Sequence, residues 1–152
     1  MLRISDWPGY EMIESVVSAQ ECDKLLDELA AIDKRSGRAG RRHLMSVPSV
    51  RNIAKDARMK SIADRIMQVS MIPFKATLFE KTGKANWLVA WHQDTALPLT
   101  EVPMRDGWGP TTIKEGVVYA HASAHALSRS VALRLHLDPS TRNNGPLRVI
   151  PR

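Results

Sequence analysis

The sequence has a single cysteine, Cys22, among 152 residues. One thiol cannot close an internal disulfide or build a Cys-based zinc site, so neither a disulfide scaffold nor a zinc-finger-type module is available. No apolar run approaches the ~18–20 residues of a membrane span, which excludes transmembrane helices. The opening stretch, from Met1 to Ser15, holds acids and a Pro-Gly pair where a secretory signal needs an apolar centre. The cytoplasm is therefore the expected compartment. Internal repeats and low-complexity segments are also lacking. What remains is ordinary for a globular chain: 43% apolar and 25% charged residues. The length suits one domain, and a domain of this size buries roughly 68–70% of its unfolded surface.

Charge is unbalanced. Lys and Arg exceed Asp and Glu by 22 − 16 = +6. The basic side chains gather between Lys34 and Arg65, and a solvated helical surface is the ordinary reading of such a run. A basic rim that attracts an anionic substrate, or a binder of anionic polymers, are the functional readings. The stretch contains no aromatic residue that could stack on a base, and no nucleic-acid motif is present, so nucleic acid is not the expected partner.

The order of elements reads helices first, strands after. Ser18 and Glu21 have capping-box spacing, and Cys22, Leu25, Leu26, Leu29 and Ile32 then share one helical face up to Ser36-Gly37. Cys22 reads as a small apolar residue of that face. Pro48-Ser49 opens a second helical region over 50–68, with Asp56 capping a break inside it. Met45, Met59, Met67 and Met71 suit core gaps. From Met71 the periodicity shortens. Strands are expected over 74–81 and 85–91 around a Thr-Gly-Lys turn, and over 131–138, with another starting at Leu147. Residues 95–118 read as a loop because of Pro98, Pro103, Gly107, Gly109 and Pro110, and 123–130 as a short helix.

Two segments carry candidate chemistry. Trp91-His92-Gln93-Asp94 ends a predicted strand, so His92 and Asp94 point the same way. An imidazole and a carboxylate on one face are two legs of a 2-His-1-carboxylate iron site, although His-x-Asp by itself is a common tripeptide. In Val131–Asp138, apolar residues alternate with Ala132, Arg134, His136 and Asp138; this polar face meets either solvent or a cavity. His121 and His125 are spaced for one helical face, and His43 lies in the basic loop as a surface or packing residue.

Several ordered stretches then resemble one family. Phe79–Asp94, Gly107–Pro110 with Lys114–Val117, Leu133–Asp138 with Asn144–Pro151, and upstream Ala39–Leu44 with Val47–Val50 are together similar to the phytanoyl-CoA dioxygenase family of Fe(II)/2-oxoglutarate-dependent oxygenases. The resemblance implies a mainly β, α+β chain. Residues 1–70 would form a helical N-terminal part, and 71–152 the first part of a double-stranded β-helix (a cupin-like jelly roll). It implies Fe(II) held by His92 and Asp94 and 2-oxoglutarate as co-substrate, with hydroxylation of a small organic molecule and release of succinate and carbon dioxide. Asn86, which shares strand parity with His92, and Arg134 are the candidate co-substrate contacts. Trp87 and Trp91, of opposite parity, should pack outward against the helices.

The family's distal histidine and its basic co-substrate anchor follow the position of Pro151. This sequence reads Pro151-Arg152 there, so neither residue has a matching position. A truncated, incomplete barrel with impaired activity is the expectation, with self-association through open strand edges and His136 as a stand-in third ligand. The alternative within the same fold is a remnant or binding module without chemistry.

Overall fold

The computed structural model describes residues 8–32, 40–81, 90–101 and 107–151. Helix α1, Ala19–Ala30, begins where its caps say it should. Ser18 Oγ accepts the Glu21 amide at 3.2 Å, and Glu21 Oε2 accepts the Ser18 amide at 2.8 Å. Two orphan donors of the first turn are thus satisfied reciprocally. The helix stops earlier than Ser36-Gly37, and 33–39 lie outside the described residues. Its last turn carries no basic residue of its own. That role falls to Arg41, whose Nη1 donates to the carbonyls of Leu29 at 3.0 Å and Ile32 at 3.4 Å.

The second helical region is two helices, as Asp56 predicts. Helix α2, Pro48–Lys55, starts on a proline, whose fixed φ and missing N–H suit a first turn. Asp56 closes α2 and caps α3, Ala57–Met67, by accepting the Arg58 amide at 2.8 Å. Strands β1 (Gly40–Arg41) and β2 (Leu78–Phe79) pair antiparallel, and Leu44 N–H donates to Ala76 O just beyond them at 3.2 Å. A 3₁₀ turn, Leu44–Ser46, links β1 to α2. Around these elements lies the main core: Leu29, Leu44 and Val50, with Leu25, Ile32, Val47, Ala76, Leu78 and Leu137 against them. Each fully buried aliphatic side chain contributes roughly 1.5–3 kcal/mol. Of the methionines assigned to the core, Met59 is buried while Met45, Met67 and Met71 are half-buried.

The segment 95–118 is not a loop. It contributes β3 (Ala96–Leu99) and β4 (Thr111–Lys114), and with β5 (Val117–His121) these form a three-stranded antiparallel sheet in the order β3-β5-β4. Lys114 pairs with Val117, leaving Glu115-Gly116 as a two-residue turn, with φ of 53° and 81°. Positive φ at both centres is the twist-matched hairpin geometry. Pro98 is tolerated because β3 is an edge strand, where the missing N–H can face away from the ladder. Helix α4, Ala124–Leu127, follows, capped by Ser123 Oγ accepting the Ala126 amide at 3.2 Å.

Other strand expectations shorten or fail. The 74–81 strand is confined to β2, 85–89 lie outside the described residues while 90 and 91 are irregular, and 131–138 and 147–150 form no ladder among the described residues. The alternation in 131–138 survives in part as burial. Leu135 and Leu137 face the α1–α2 side while Arg134, His136 and Asp138 are exposed. The chain is thus a mixed helix-and-sheet protein. Among the described residues helix outweighs strand, the two sheets are small and antiparallel, and no barrel closes. No helix among the described residues is long and apolar enough to cross a membrane.

Candidate metal centre

Residues 90–95 lead into β3 as irregular backbone rather than as the end of a strand, so strand parity does not set the pair, yet His92 and Asp94 lie side by side. His92 Nε2 stands 3.8 Å from Asp94 Oδ1. Two metal bonds of about 2.1 Å each span up to roughly 4.2 Å, so one ion can touch both atoms. The other ring nitrogen, Nδ1, lies 2.8 Å from the Ala90 carbonyl oxygen. A carbonyl only accepts, so this bond requires the proton on Nδ1 and leaves the Nε2 lone pair facing Asp94 in the neutral ring. Metal-ligating histidines are commonly oriented by such a bond.

The surroundings are open. The two side chains are 55% and 92% exposed, so the pair lies on the surface rather than in a pocket. The concavity between α1, α2 and 131–138 is lined by Val17, Glu21, Cys22, Leu25, Ile53, Leu135 and Leu137, without His92 or Asp94. Cys22 is half-buried there, near the His136 carbonyl, as its apolar reading expects. Register brings His121 opposite Ala96, and its Nδ1 meets Thr95 Oγ1 at 2.7 Å. Even so, no group of three or more His, Cys, Asp or Glu that could hold a metal forms among the described residues. The donor set fits a divalent ion through two ligands, with its other positions open to water or small molecules.

The remaining candidates scatter. His121 belongs to β5 and His125 to α4, so they do not share a helical face. His136 and Arg134 are exposed on 131–138, and Asn86 and Trp87 lie outside the described residues. Trp91 does not pack on the helices: it is 60% exposed, with the Arg148 guanidinium 5.3 Å from its ring centroid. That contact brings the C-terminal segment to the residue preceding His92, a placement no local sequence signal announces. His43 is a packing residue, as expected; its Nε2 donates to the Lys114 carbonyl at 3.1 Å and its ring lies against Tyr119.

Much of the basic run is engaged internally. Arg58 bridges Glu21, Asp56 and the Val16 carbonyl, Lys60 pairs with Asp64, and Arg65 with Glu11. Arg58, by its side-chain bonds, holds both the Glu21 and Asp56 carboxyls down at about 2, and their joint pull raises Arg58 in turn. Lys60 lowers Asp64 in the same way, helped by the Met71 amide. Burial pushes the Tyr119 hydroxyl up.

No protein-family model matches the chain, and no curated protein or solved structure matches it.

Proposed function

We propose that His92 and Asp94 bind one divalent metal ion, and that the chain is a non-haem Fe(II)/2-oxoglutarate-oxygenase-like protein acting on a small organic molecule. The observation that carries this reading is the 3.8 Å approach of His92 Nε2 to Asp94 Oδ1 with the opposite ring nitrogen tied to Ala90. Bound Fe(II) would supply the site for oxygen and a keto acid. The chain's part is to present two oriented donors and leave the remaining positions free. The exposure of the pair favours a second reading of the same site, a metal-binding module without turnover. Hydroxylation of an unactivated C–H needs a site that excludes water, and a carboxylate 92% exposed is not in one.

Two measurements separate these readings. Titration of the whole chain with Co(II) or anaerobic Fe(II) should give one site that is lost in His92→Ala and in Asp94→Ala. Succinate release from 2-oxoglutarate with Fe(II), above the His92→Ala background, supports the oxygenase. Binding without succinate supports the module, and equal metal binding by wild type and both variants overturns the site.

A further inference from the structure

Away from the metal pair, Lys75, Lys114 and His43, from three separate segments, converge on one buried ring, with Arg42 beside them. Tyr119, in the central strand β5, is 2% exposed. Lys114 Nζ lies 5.1 Å and Lys75 Nζ 5.9 Å from its ring centroid, and the His43 ring centroid is 5.9 Å away. Arg42 approaches from β1's end, with Nη1 3.5 Å from Glu115 Oε1, while His43 Nε2 stands 3.9 Å from Glu115 Oε2. Neither Lys75 nor Lys114 has a carboxylate partner among the described residues. With His43 neutral, Arg42, Lys75 and Lys114 against Glu115 leave a local charge of 3 − 1 = +2.

We propose that this cluster is a binding site for a dianionic phosphate group carried by a small molecule. Three physical features support it. Two ammonium groups held near one buried ring concentrate positive charge there, which raises the local pull on an anion. The excess of two positive charges matches one phosphate dianion. The cluster also holds an oxyanion of its own: Glu115, in the β4–β5 turn, stands 3.5 Å from Arg42 and 3.9 Å from His43, close enough for ion pairing but without a hydrogen bond to either. A carboxylate held that loosely on an exposed turn can be displaced by a phosphate, whose three acceptor oxygens suit the guanidinium and the lysines together. Glu115 is thus an internal competitor for the site. The proposal uses none of the metal ligands and stands apart from the reading of His92 and Asp94.

The test is a ³¹P NMR titration of the whole chain with inorganic phosphate and pyrophosphate, in EDTA and at constant ionic strength made up with chloride. Wild type should show a saturable shift. Lys75→Gln and Lys114→Gln should each weaken binding about tenfold, the effect of losing roughly one charge-assisted contact. Glu115→Gln should tighten it. Lys75 is exposed, so its variant is not expected to disturb folding, and circular dichroism checks this for each variant. The proposal is overturned by an absence of saturable binding, by equal affinity in both lysine variants and wild type, or by weaker binding in Glu115→Gln.

Discussion

Arg41 makes the fold's architecture testable at one side chain. Its side chain is 10% exposed and ties the end of α1 to the β1–β2 pair. Truncation to Ala removes a 3.0 Å bond to the Leu29 carbonyl and a weaker 3.4 Å bond to Ile32. A hydrogen bond from a charged donor contributes about 1.5–3 kcal/mol, and a cation at a helix C-terminus about 0.3–1 kcal/mol more. Working against this, Arg41 Nε and Nη2 are buried without hydrogen bonds among the described residues, where Glu80 at 3.5 Å is the one carboxylate that offsets the buried charge. Removing a poorly solvated charge returns part of the loss. The net expectation for Arg41→Ala is a destabilisation of about 2 kcal/mol, or roughly 4–8 °C in Tm for a chain of this length. Arg41→Met keeps the aliphatic packing and should cost less than Arg41→Ala. Urea unfolding followed by far-UV circular dichroism measures both. A loss in Arg41→Ala below about 0.5 kcal/mol, the level of an ordinary surface change, refutes the capping role.

Other expectations follow from the same contacts. Because Glu21 and Asp56 have pKa values lowered to about 2, the stability they confer is fully present above the ordinary carboxylate range and is lost as pH falls towards 2. Urea midpoints between pH 5 and 2 should therefore fall less steeply in Arg58→Met than in wild type. A Cβ on Gly109 would lie 2.8 Å from His121 Cβ, which cannot swing aside, so Gly109→Ala should cost about 1–3 kcal/mol in the same unfolding assay. Leu29→Ala, at the centre of the core, should cost roughly 2–5 kcal/mol. Gly116→Ala, at φ +81°, should lower Tm through strain alone, since nothing among the described residues lies within 4 Å of its Cβ position.

The helices were legible because their signals are local. Ser18 with Glu21, Pro48, Asp56 and Ser123 each act within one turn of the residue that bears them. The β3-β5-β4 sheet was hidden by punctuation. Pro98, Pro103, Gly107 and Gly109 suggest a loop, yet an edge strand tolerates Pro98, and Glu115-Gly116 between two β-branched runs was the available hairpin signal. Residues 131–138 fail in the opposite direction. Alternation reports which side chains meet apolar surroundings, but a strand also needs a partner backbone, which that pattern does not encode. At the site, the strand parity expected to align His92 and Asp94 does not apply, because 92–95 are irregular; their approach comes from that local backbone, and their exposure depends on what covers them, which has no local signature. The convergence of Lys75, Lys114 and His43 on Tyr119 joins residues far apart in the chain, so no window of sequence contains it.

The most direct test of the metal reading is NMR of the five histidine rings during addition of substoichiometric Mn(II), a paramagnetic stand-in for Fe(II). The His92 ring signals should broaden first, well before those of the exposed His125 and His136, and Asp94→Ala should abolish this selectivity. Uniform broadening of the exposed histidines, or selectivity that survives Asp94→Ala, would contradict the metal reading.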